Sequence, residues 1–228
     1  SGGRFAINVV NGWYQKEFDD FGNGSWLAQN SERYARMGEF MHILKGLWCE
    51  ESFTLKGVHF HLNDAVLPIK TIQVPNPPIY AASSAKEGMQ EIARFADYWF
   101  ASYEPGLDNA GKNLEKISMD IRDMERLSDN FGRKIKFGIS AHVICAETRK
   151  EAVEHARALE AYGSQDRISL VAAKALGAGL VGTPDDIVQR LCQLSEIGVE
   201  IPMLHFYPMM EGMEIFAKEI IPRLSARI

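Results

Sequence analysis

The sequence alternates short apolar β segments with longer segments of helical spacing along nearly its whole length. Five segments are predicted to be strands, at residues 5–10, 78–82, 98–101, 135–139 and 202–204. Strands that alternate with helices favour a parallel sheet, because parallel neighbours must be joined by a long crossover connection. The alternation therefore predicts an α/β protein built from about five βα units.

Helix signals lie between these predicted strands. Ser31 can cap a helix whose apolar residues, Tyr34 among them, follow helical spacing. Thr148 and the pair Thr183-Pro184 can open two others. Further helices are predicted at about residues 85–96, 106–130 and 212–224, and a small β excursion at about 54–62.

The bulk composition excludes several classes of protein. With 228 residues, 46% of them hydrophobic, the chain can bury one sizeable core, so we expect a single domain over residues 1–228. A net charge of −5 without a basic stripe argues against a nucleic-acid partner. No apolar run approaches the roughly 20 residues of a membrane span, and no secretory leader is expected. Cys49, Cys145 and Cys192 are widely spaced, which indicates reduced, buried thiols in a cytoplasmic protein.

Polar or aromatic clusters follow each predicted strand. They begin at Asn11, Ser83, Ser102, Ser140 and His205. Ligands of parallel α/β folds bind at the carboxyl edge of the sheet, because the loops there vary while the strands hold them rigidly. The clusters therefore predict one composite active site, and hence an enzyme. No GxGxxG motif follows a predicted strand, so a dinucleotide site is poorly supported.

Three hydroxyl side chains form the first candidate site. Ser83 and Ser84 precede a predicted helix, whose positive end can hold a phosphate together with their hydroxyls. Tyr34 lies near the start of another predicted helix. The alternative is structural, since a serine pair is an ordinary helix cap and a helical tyrosine often belongs to the core.

Histidines supply the second candidate site. His142 lies in a β segment, where it is either a core residue or a proton donor and acceptor near neutral pH. His59 and His61 have HxH spacing, but no third ligand stands nearby in the sequence, so we expect no metal site.

Six segments, taken in chain order, resemble the bacterial-luciferase-like flavin monooxygenases, in particular the alkanesulfonate and dimethyl sulfone monooxygenase branch. The segments are SGGRFAINVVNGW, NSERYARMGEF, PPIYAASS, KFGISAHVI, GLVGTPDDI and LHFYP. The resemblance implies a TIM (β/α)8 barrel of the luciferase-like type, here incomplete and covering about strands four to eight. Five βα units and a start at Ser1 without an initiator methionine agree with this, although a tag remnant would also explain the start.

The resemblance also implies the chemistry. Enzymes of this family use O2 and reduced FMN, supplied by a separate NAD(P)H-dependent flavin reductase, to oxygenate a small organosulfur substrate through a flavin peroxide. The flavin carries the difficult chemistry, so the protein must exclude water, position the substrate and supply proton donors. We also expect a homo-oligomer for the full-length protein.

Individual residues acquire roles by the same resemblance. Those expected to bind the cofactor are Asn8, Asn30, Tyr34, Ser83 and Ser84, the last three at the FMN phosphate. His142 and Tyr207 match the active-site histidine and tyrosine of the alkanesulfonate branch. Trp13, Ser140 and Arg167 are expected at the substrate.

Three departures from the family pattern bear on the ligands. Asn30 replaces the histidine that usually precedes the SERY motif, and its amide can still donate a hydrogen bond to phosphate. Ser140 replaces an arginine of the alkanesulfonate enzymes, and the loss of a fixed cation favours a neutral sulfur substrate such as a sulfone. The segment 163–180 is shorter than the family's mobile lid and offers only Arg167 and Lys174 as cations.

Other functions stay open from the sequence. A monooxygenase of the same fold can act on another neutral substrate, such as a pyrimidine ring or a long-chain alkane. A deazaflavin-dependent hydride-transfer enzyme is a further branch. A flavin-binding protein without turnover, or a fragment unable to fold alone, belongs to another class.

Overall fold

Strands and helices alternate along the chain as predicted, and the computed structural model describes residues 1–12, 14–22, 25–163 and 176–225. The strands are β1 (Ile7–Val9), β2 (Phe53–Lys56), β3 (His61–Ala65), β4 (Ile79–Ala82), β5 (Tyr98–Phe100), β6 (Lys136–Cys145), β7 (Val181–Gly182) and β8 (Val199–Phe206). The α-helices are α1 (Gln15–Phe21), α2 (Asn30–Cys49), α3 (Lys86–Phe95), α4 (Ala110–Asp129), α5 (Arg149–Gly163), α6 (Pro184–Glu196), α7 (Met209–Ile215) and α8 (Ile221–Ser225). A 3-10 helix, Leu107–Asn109, precedes α4, and a π-helical segment, Phe216–Ile220, joins α7 to α8.

The first of two compact units comprises Ser1–Phe100 and Met124–Lys136. Its sheet is parallel, with β4 between β1 and β5. The β2 and β3 strands form an antiparallel hairpin where the sequence predicted a β excursion. Helix α2 buries Tyr34, Met37 and Met41, so the predicted helical spacing does identify its inward face.

The second unit comprises Ala101–Asp123 and Phe137–Ile228. Its strands are also parallel: β6 pairs with β8 along residues 137–143 and with β7 at Ile144 and Cys145. An apolar cluster packs behind β6 and contains Ile144, Ala152, Ala156, Leu176 and Val181. Strand β7 was not predicted, because two residues are too few to produce a periodic pattern.

Strand β6 is longer than predicted. His142 lies within this strand, as expected for a β segment. The polar cluster that starts at Ser140 was nevertheless predicted to follow a strand end at residue 139, but the strand continues to Cys145. That prediction was wrong because alternation persists: Ala141 and Val143 are buried, while Ser140 and His142 on the opposite face are only partly covered. Ser140 and His142 are therefore held by strand backbone rather than by a loop.

Helix α2 also starts differently from the prediction. Ser31 was expected to cap it, but the helix begins at Asn30, after Gln29, and Gln29 makes no side-chain capping hydrogen bond. The Asn30 side chain instead bonds to two neighbouring side chains, described below.

An ionic cluster ties the first unit together at the amino end of its strands. The Asp97 carboxylate accepts hydrogen bonds from Lys45 Nζ at 2.7 Å, from Arg133 Nη2 at 3.0 Å and from the Ile79 backbone N–H at 2.9 Å. Burial lowers the pKa of Lys45 although Asp97 opposes that shift. The cluster lies before β5 and fixes the end of the sheet remote from the candidate site, where parallel α/β folds concentrate stabilising contacts.

The cysteines only partly follow the prediction. All three are free thiols, but only Cys145 is buried; Cys192 is partly covered and Cys49 is exposed at the end of α2. Burial raises the pKa of Cys145 to about 11, which keeps this thiol protonated and unreactive near neutral pH. No helix within the described ranges combines the length and apolar character needed to cross a bilayer.

Candidate active site

Two hydroxyl side chains meet in the first unit, where β4 ends and α2 begins. Ser83 Oγ lies 2.9 Å from Tyr34 Oη, and both residues are buried. Ser83 Oγ also accepts a hydrogen bond from the Ala85 backbone N–H at 3.0 Å, and Trp99 Nε1 donates to the Ser83 carbonyl oxygen at 3.0 Å. These bonds hold the Tyr34–Ser83 hydroxyl pair in one position.

The hydroxyl pair keeps one proton that its mutual bond does not use. Two hydroxyl groups carry two protons, and one suffices for the bond between them. Among the described residues, the alternative acceptor for Ser83 is the Ala85 carbonyl oxygen at 3.4 Å, which is a long contact. The pair can therefore donate a proton to an additional oxygen.

Gly88 makes room for the hydroxyl pair. A Cβ atom at this position in α3 would lie 2.3 Å from Ser83 Oγ and 2.5 Å from Tyr34 Cε1. Both distances are far below van der Waals contact, so only glycine lets α3 approach the pair without displacement. Gly88 was not predicted from the sequence, because nothing local distinguishes it from other helical glycines.

Three side chains form a second group in the same unit, which we call the amide triad: Asn11, Asn30 and Arg33. Asn30 Oδ1 accepts hydrogen bonds from Asn11 Nδ2 at 3.1 Å and from Arg33 Nη2 at 3.0 Å. Asn11 follows β1, and Asn30 is the first residue of α2. The triad thus connects the carboxyl end of a strand to the amino end of a helix.

The hydroxyl pair lies near the amino ends of two helices. Tyr34 is in the second turn of α2, and Ser83 lies just before α3. Helix amino ends carry unpaired N–H groups and partial positive charge, which favour anions. With a surplus hydroxyl proton and the Asn30 amide on the same helix as Tyr34, this arrangement fits a phosphate group.

The other predicted cofactor residues are more exposed. Ser84 is exposed beside the buried Ser83, and the structure brings only Ser83 into contact with Tyr34. Asn8 is an exposed residue of β1 and lies opposite Tyr80 of β4 in the strand register. Roles for Asn8 and Ser84 therefore stay predictions.

A polar face on β6 and β8 forms the candidate site of the second unit. We call it the histidine face: Ser140, His142, Met203 and His205. The parallel register sets Ser140 beside Met203 and His142 beside His205. The two imidazole centroids are 5.3 Å apart, and Ser140 Oγ lies 3.3 Å from His205 Nε2.

The surroundings of His142 shift its pKa. Burial lowers its pKa below the ordinary value of 6.5, and the nearby His205 lowers it further. Its Nδ1 atom is buried and has no hydrogen-bond partner among the described residues. A neutral imidazole is thus held next to a second imidazole, with one ring nitrogen left to bind another group.

Tyr103 fixes the backbone beside the histidine face. The buried Tyr103 hydroxyl donates to the Ser140 carbonyl oxygen, and burial raises the pKa of Tyr103. Asn113 holds the following residue, because its side chain accepts from the Glu104 N–H at 3.0 Å and donates to the Glu104 carbonyl oxygen at 2.8 Å. The Ser140 hydroxyl is therefore presented from a rigid main chain.

Tyr207 directly follows β8, as predicted. Its backbone N–H donates to the Val143 carbonyl oxygen at 3.3 Å, which brings it next to β6, and its side chain is largely exposed. Trp13 and Arg167, both predicted at the substrate, lie outside the described residues.

His205 is the residue that sequence reasoning missed in the second unit. It was noted only as the start of a polar cluster. The available signal was the alternation of Met203 and His205, which puts the two on one side of a strand. Its closeness to His142 follows from the register of β6 and β8, which the sequence does not reveal.

The comparisons with known proteins agree on one family. Residues 1–200 match the sequence model of the luciferase-like monooxygenases. An FMNH2-dependent dimethylsulfone monooxygenase of Pseudomonas putida is 29% identical over 97% of this chain and 66% of its own length. A protein of the same name from Pseudomonas fluorescens strain Pf0-1 is 26% identical over 96% of this chain and 65% of its own length. The chain thus spans about two thirds of these curated relatives.

A solved structure supports the fold independently. The crystal structure of a long-chain alkane monooxygenase superposes with a TM-score of 0.76 at 19% identity, covering 99% of this chain and 63% of that one. At this identity the likeness establishes the fold alone. With the family match, it confirms the predicted fold class, an incomplete TIM (β/α)8 barrel of the luciferase-like type.

Proposed function

The chain belongs to the luciferase-like monooxygenase family, and from that premise we propose that it works as an FMNH2-dependent monooxygenase of a small organosulfur compound. We propose a neutral sulfone as the substrate. The observation that carries this choice is the histidine face, on which Ser140, His142 and His205 lie together without a permanently charged side chain among them.

The first unit would hold the cofactor by its phosphate. Tyr34, Ser83 and Asn30 supply oriented donors near two helix amino ends, and Ser84 and Asn8 would add contacts from exposed positions. Reduced FMN would supply the two electrons with which dioxygen is split, one oxygen atom going to the substrate and the other to water.

The second unit would position the substrate and move protons. We propose that His142, kept neutral by burial, exchanges a proton or a hydrogen bond with the substrate through Nδ1. Tyr207 would donate a hydrogen bond from its exposed phenol, and His205 would act beside Ser140. Trp13 and Arg167 keep their proposed substrate roles from the family resemblance.

Uncharged donors suit a sulfone better than a sulfonate. The oxygens of a sulfone accept hydrogen bonds but carry no net charge, so they require no cation. A sulfonate anion removed from water requires a paired positive charge, and the arginine that would supply it is Ser140 in this chain. The curated relatives named for dimethylsulfone support the same choice.

A coupled turnover assay tests the proposal. The protein is mixed with FMN, NADH, an NAD(P)H-dependent flavin reductase and O2, and product is measured for dimethyl sulfone, a short alkanesulfonate and a long-chain alkane. We expect product from the sulfone that requires the reductase and exceeds product from the sulfonate. Flavin binding with NADH consumption but no product would identify a flavin-binding protein without turnover. Preferential oxidation of the alkane would identify an alkane, rather than a sulfone, as the substrate class.

The Ser140→Arg variant sharpens the substrate test. The added guanidinium can pair with a sulfonate in a bidentate way, so the variant should shift the sulfonate-to-sulfone ratio of kcat/KM upward by about 10-fold. An unchanged ratio would argue that Ser140 does not face the substrate.

The partners follow from the same proposal. A separate flavin reductase would supply reduced FMN, as the names of the FMNH2-dependent relatives support. A homo-oligomeric assembly and a cytoplasmic location stay predictions from the sequence.

A further inference from the structure

We infer that Asn11 and Arg33 are positioning residues that hold the Asn30 side chain in one orientation and turn its amide N–H groups towards the phosphate of the bound flavin. This inference rests on the proposed function. It adds to that function the two residues that set the direction of one phosphate donor.

The orientation of Asn30 follows from the chemistry of arginine. A guanidinium can donate hydrogen bonds but cannot accept them, so the Asn30 atom that lies 3.0 Å from Arg33 Nη2 must be the carbonyl oxygen. Asn11 Nδ2 donates to the same oxygen at 3.1 Å. Two donors occupy both lone pairs of Oδ1 and therefore prevent the amide from flipping.

The other end of the Asn30 amide is left without a protein partner. Within the described parts of the chain, Asn30 Nδ2 donates to no acceptor, and the side chain is exposed. Because Oδ1 is fixed, Nδ2 must face away from Asn11 and Arg33. A group with two N–H donors and no free acceptor selects an oxygen-rich ligand such as a phosphate.

Arg33 is already engaged by several groups of the protein. Its Nη1 donates to the carbonyl oxygens of Leu27 and Ala28, at 2.6 and 3.0 Å. Its guanidinium carbon lies 4.3 Å from the centroid of the Trp26 ring, in cation–π contact. Its Nε is buried and has no hydrogen-bond partner among the described residues. With Nη1 directed at backbone carbonyl oxygens, Nη2 at Asn30 Oδ1 and one face on an indole ring, Arg33 is placed to act through Asn30.

Asn30 lies on the same face of α2 as one member of the hydroxyl pair. Asn30 and Tyr34 are four residues apart on α2, so they share one face of the helix. Tyr34 hydrogen-bonds to Ser83, which precedes α3. The Asn30 amide thus adds a second donor group to the surplus proton of the hydroxyl pair, on the side of α2 proposed to face the phosphate.

The test compares the binding of FMN with that of riboflavin, which lacks the phosphate, by quenching of flavin fluorescence. Asn30→Asp removes the donors and adds negative charge, so FMN affinity should fall about 10-fold or more. Arg33→Lys keeps the charge but loses the fork that fixes Oδ1, and FMN affinity should fall about 3- to 10-fold. Riboflavin affinity should not change in either variant, because only the phosphate contact is altered.

Arg36→Lys is the matched control. Arg36 Nη1 donates to the Ser25 carbonyl oxygen at 2.9 Å, and its guanidinium lies 5.4 Å from the Phe18 ring centroid, but it makes no bond to Asn30. The control therefore perturbs the same segment and leaves the amide triad intact. It should keep the affinities for both flavins.

Two outcomes overturn the inference by itself. One is FMN affinity in Arg33→Lys equal to that of the unmodified protein; the other is an equal loss for FMN and riboflavin, which would indicate a merely structural role. Should Arg33→Lys not fold, Asn11→Ala removes the second donor and carries the same expectations. Failure of the unmodified protein to bind either flavin would instead overturn the proposed function, and this inference with it.

Discussion

The two candidate regions differ in how many hydrogen bonds hold the side chains that are proposed to meet a ligand. In the first unit, the buried hydroxyls of Tyr34 and Ser83 bond to each other, and Asn30 Oδ1 accepts from both Asn11 and Arg33, although Arg33 Nε is buried without a described partner. On the histidine face of the second unit, Ser140 and His205 share one contact of 3.3 Å, and a buried nitrogen of His142 has no described partner.

This difference indicates a preorganised site in the first unit and, on the histidine face, a site whose hydrogen bonds a ligand would complete. Donors that are already fixed lose little entropy when a ligand arrives, which suits tight binding of an invariant group such as a phosphate. A buried nitrogen without a partner costs about 1–3 kcal/mol, and a ligand that bonds to it recovers this cost. The histidine face therefore suits recognition of a substrate and proton transfer, which depend on what is bound.

The largest expected effect is at His142. Replacing it with alanine should lower turnover of dimethyl sulfone by roughly 10²–10⁴-fold, the usual contribution of a general acid or base. Flavin affinity should not change, because the proposed phosphate donors lie in the other unit. The coupled assay and a flavin titration measure the two quantities separately.

His61→Ala is a suitable control, since His61 is exposed on the β3 hairpin strand and has no proposed role. Full turnover by His142→Ala would mean that His142 is a core histidine. A parallel loss of turnover and flavin affinity would mean that the substitution disturbs the fold rather than the chemistry.

The next largest effect is expected at the paired serines. Ser83→Ala combined with Ser84→Ala should weaken FMN binding by about 2–4 kcal/mol, if two charge-assisted hydrogen bonds are lost. The single variants separate the causes. Ser83→Ala also leaves Tyr34 and the Ala85 N–H without their partner and should lower stability, whereas exposed Ser84 should affect binding alone. Equal FMN affinity in the double variant would exclude both serines from the phosphate site.

A smaller effect is expected at Gly88, and it tests preorganisation directly. Gly88→Ala places a methyl group against Ser83 and Tyr34, so the free energy of unfolding should fall by about 1–3 kcal/mol. FMN affinity should fall with it. Gly111→Ala is the matched control, because a Cβ there meets nothing within 4 Å, and it should cost no stability. Urea unfolding measures the free energy of unfolding of both variants. Equal values for Gly88→Ala and the unmodified protein would show that Ser83 and Tyr34 can move to accommodate the added methyl group.

The smallest expected effect is a pH dependence that arises from the histidine face. The pKa of His142 is lowered on folding by burial and by His205, so protons bind more readily to the unfolded chain. This contribution to stability is complete above the unfolded pKa of about 6.5 and declines as the pH falls towards the folded value. Urea midpoints between about pH 5 and pH 8 should therefore fall on the acid side, and less steeply in His142→Gln. An identical pH dependence of the urea midpoint in both proteins would show that His142 has the same pKa in the folded protein as in the unfolded chain.

Much of this protein was predictable from local pattern. Strand and helix alternation indicated a parallel α/β protein, since side-chain periodicity reflects which face of each element is buried. The segments around Tyr34, Ser83 and His142 indicated the family that the comparisons confirm. Errors arose where local cues conflicted, as at Ser140, whose polarity suggested the end of a strand that in fact continues.

Only the tertiary structure decided which of these residues meet. Tyr34 and Ser83 are separated by 49 positions and Ser140 and His205 by 65, and each pair is joined across whole intervening elements. Gly88 matters only because two side chains from other elements occupy the space that its missing Cβ leaves. The register of parallel strands and the close packing of helices create such contacts, and local sequence does not encode them because neither partner is a neighbour along the chain.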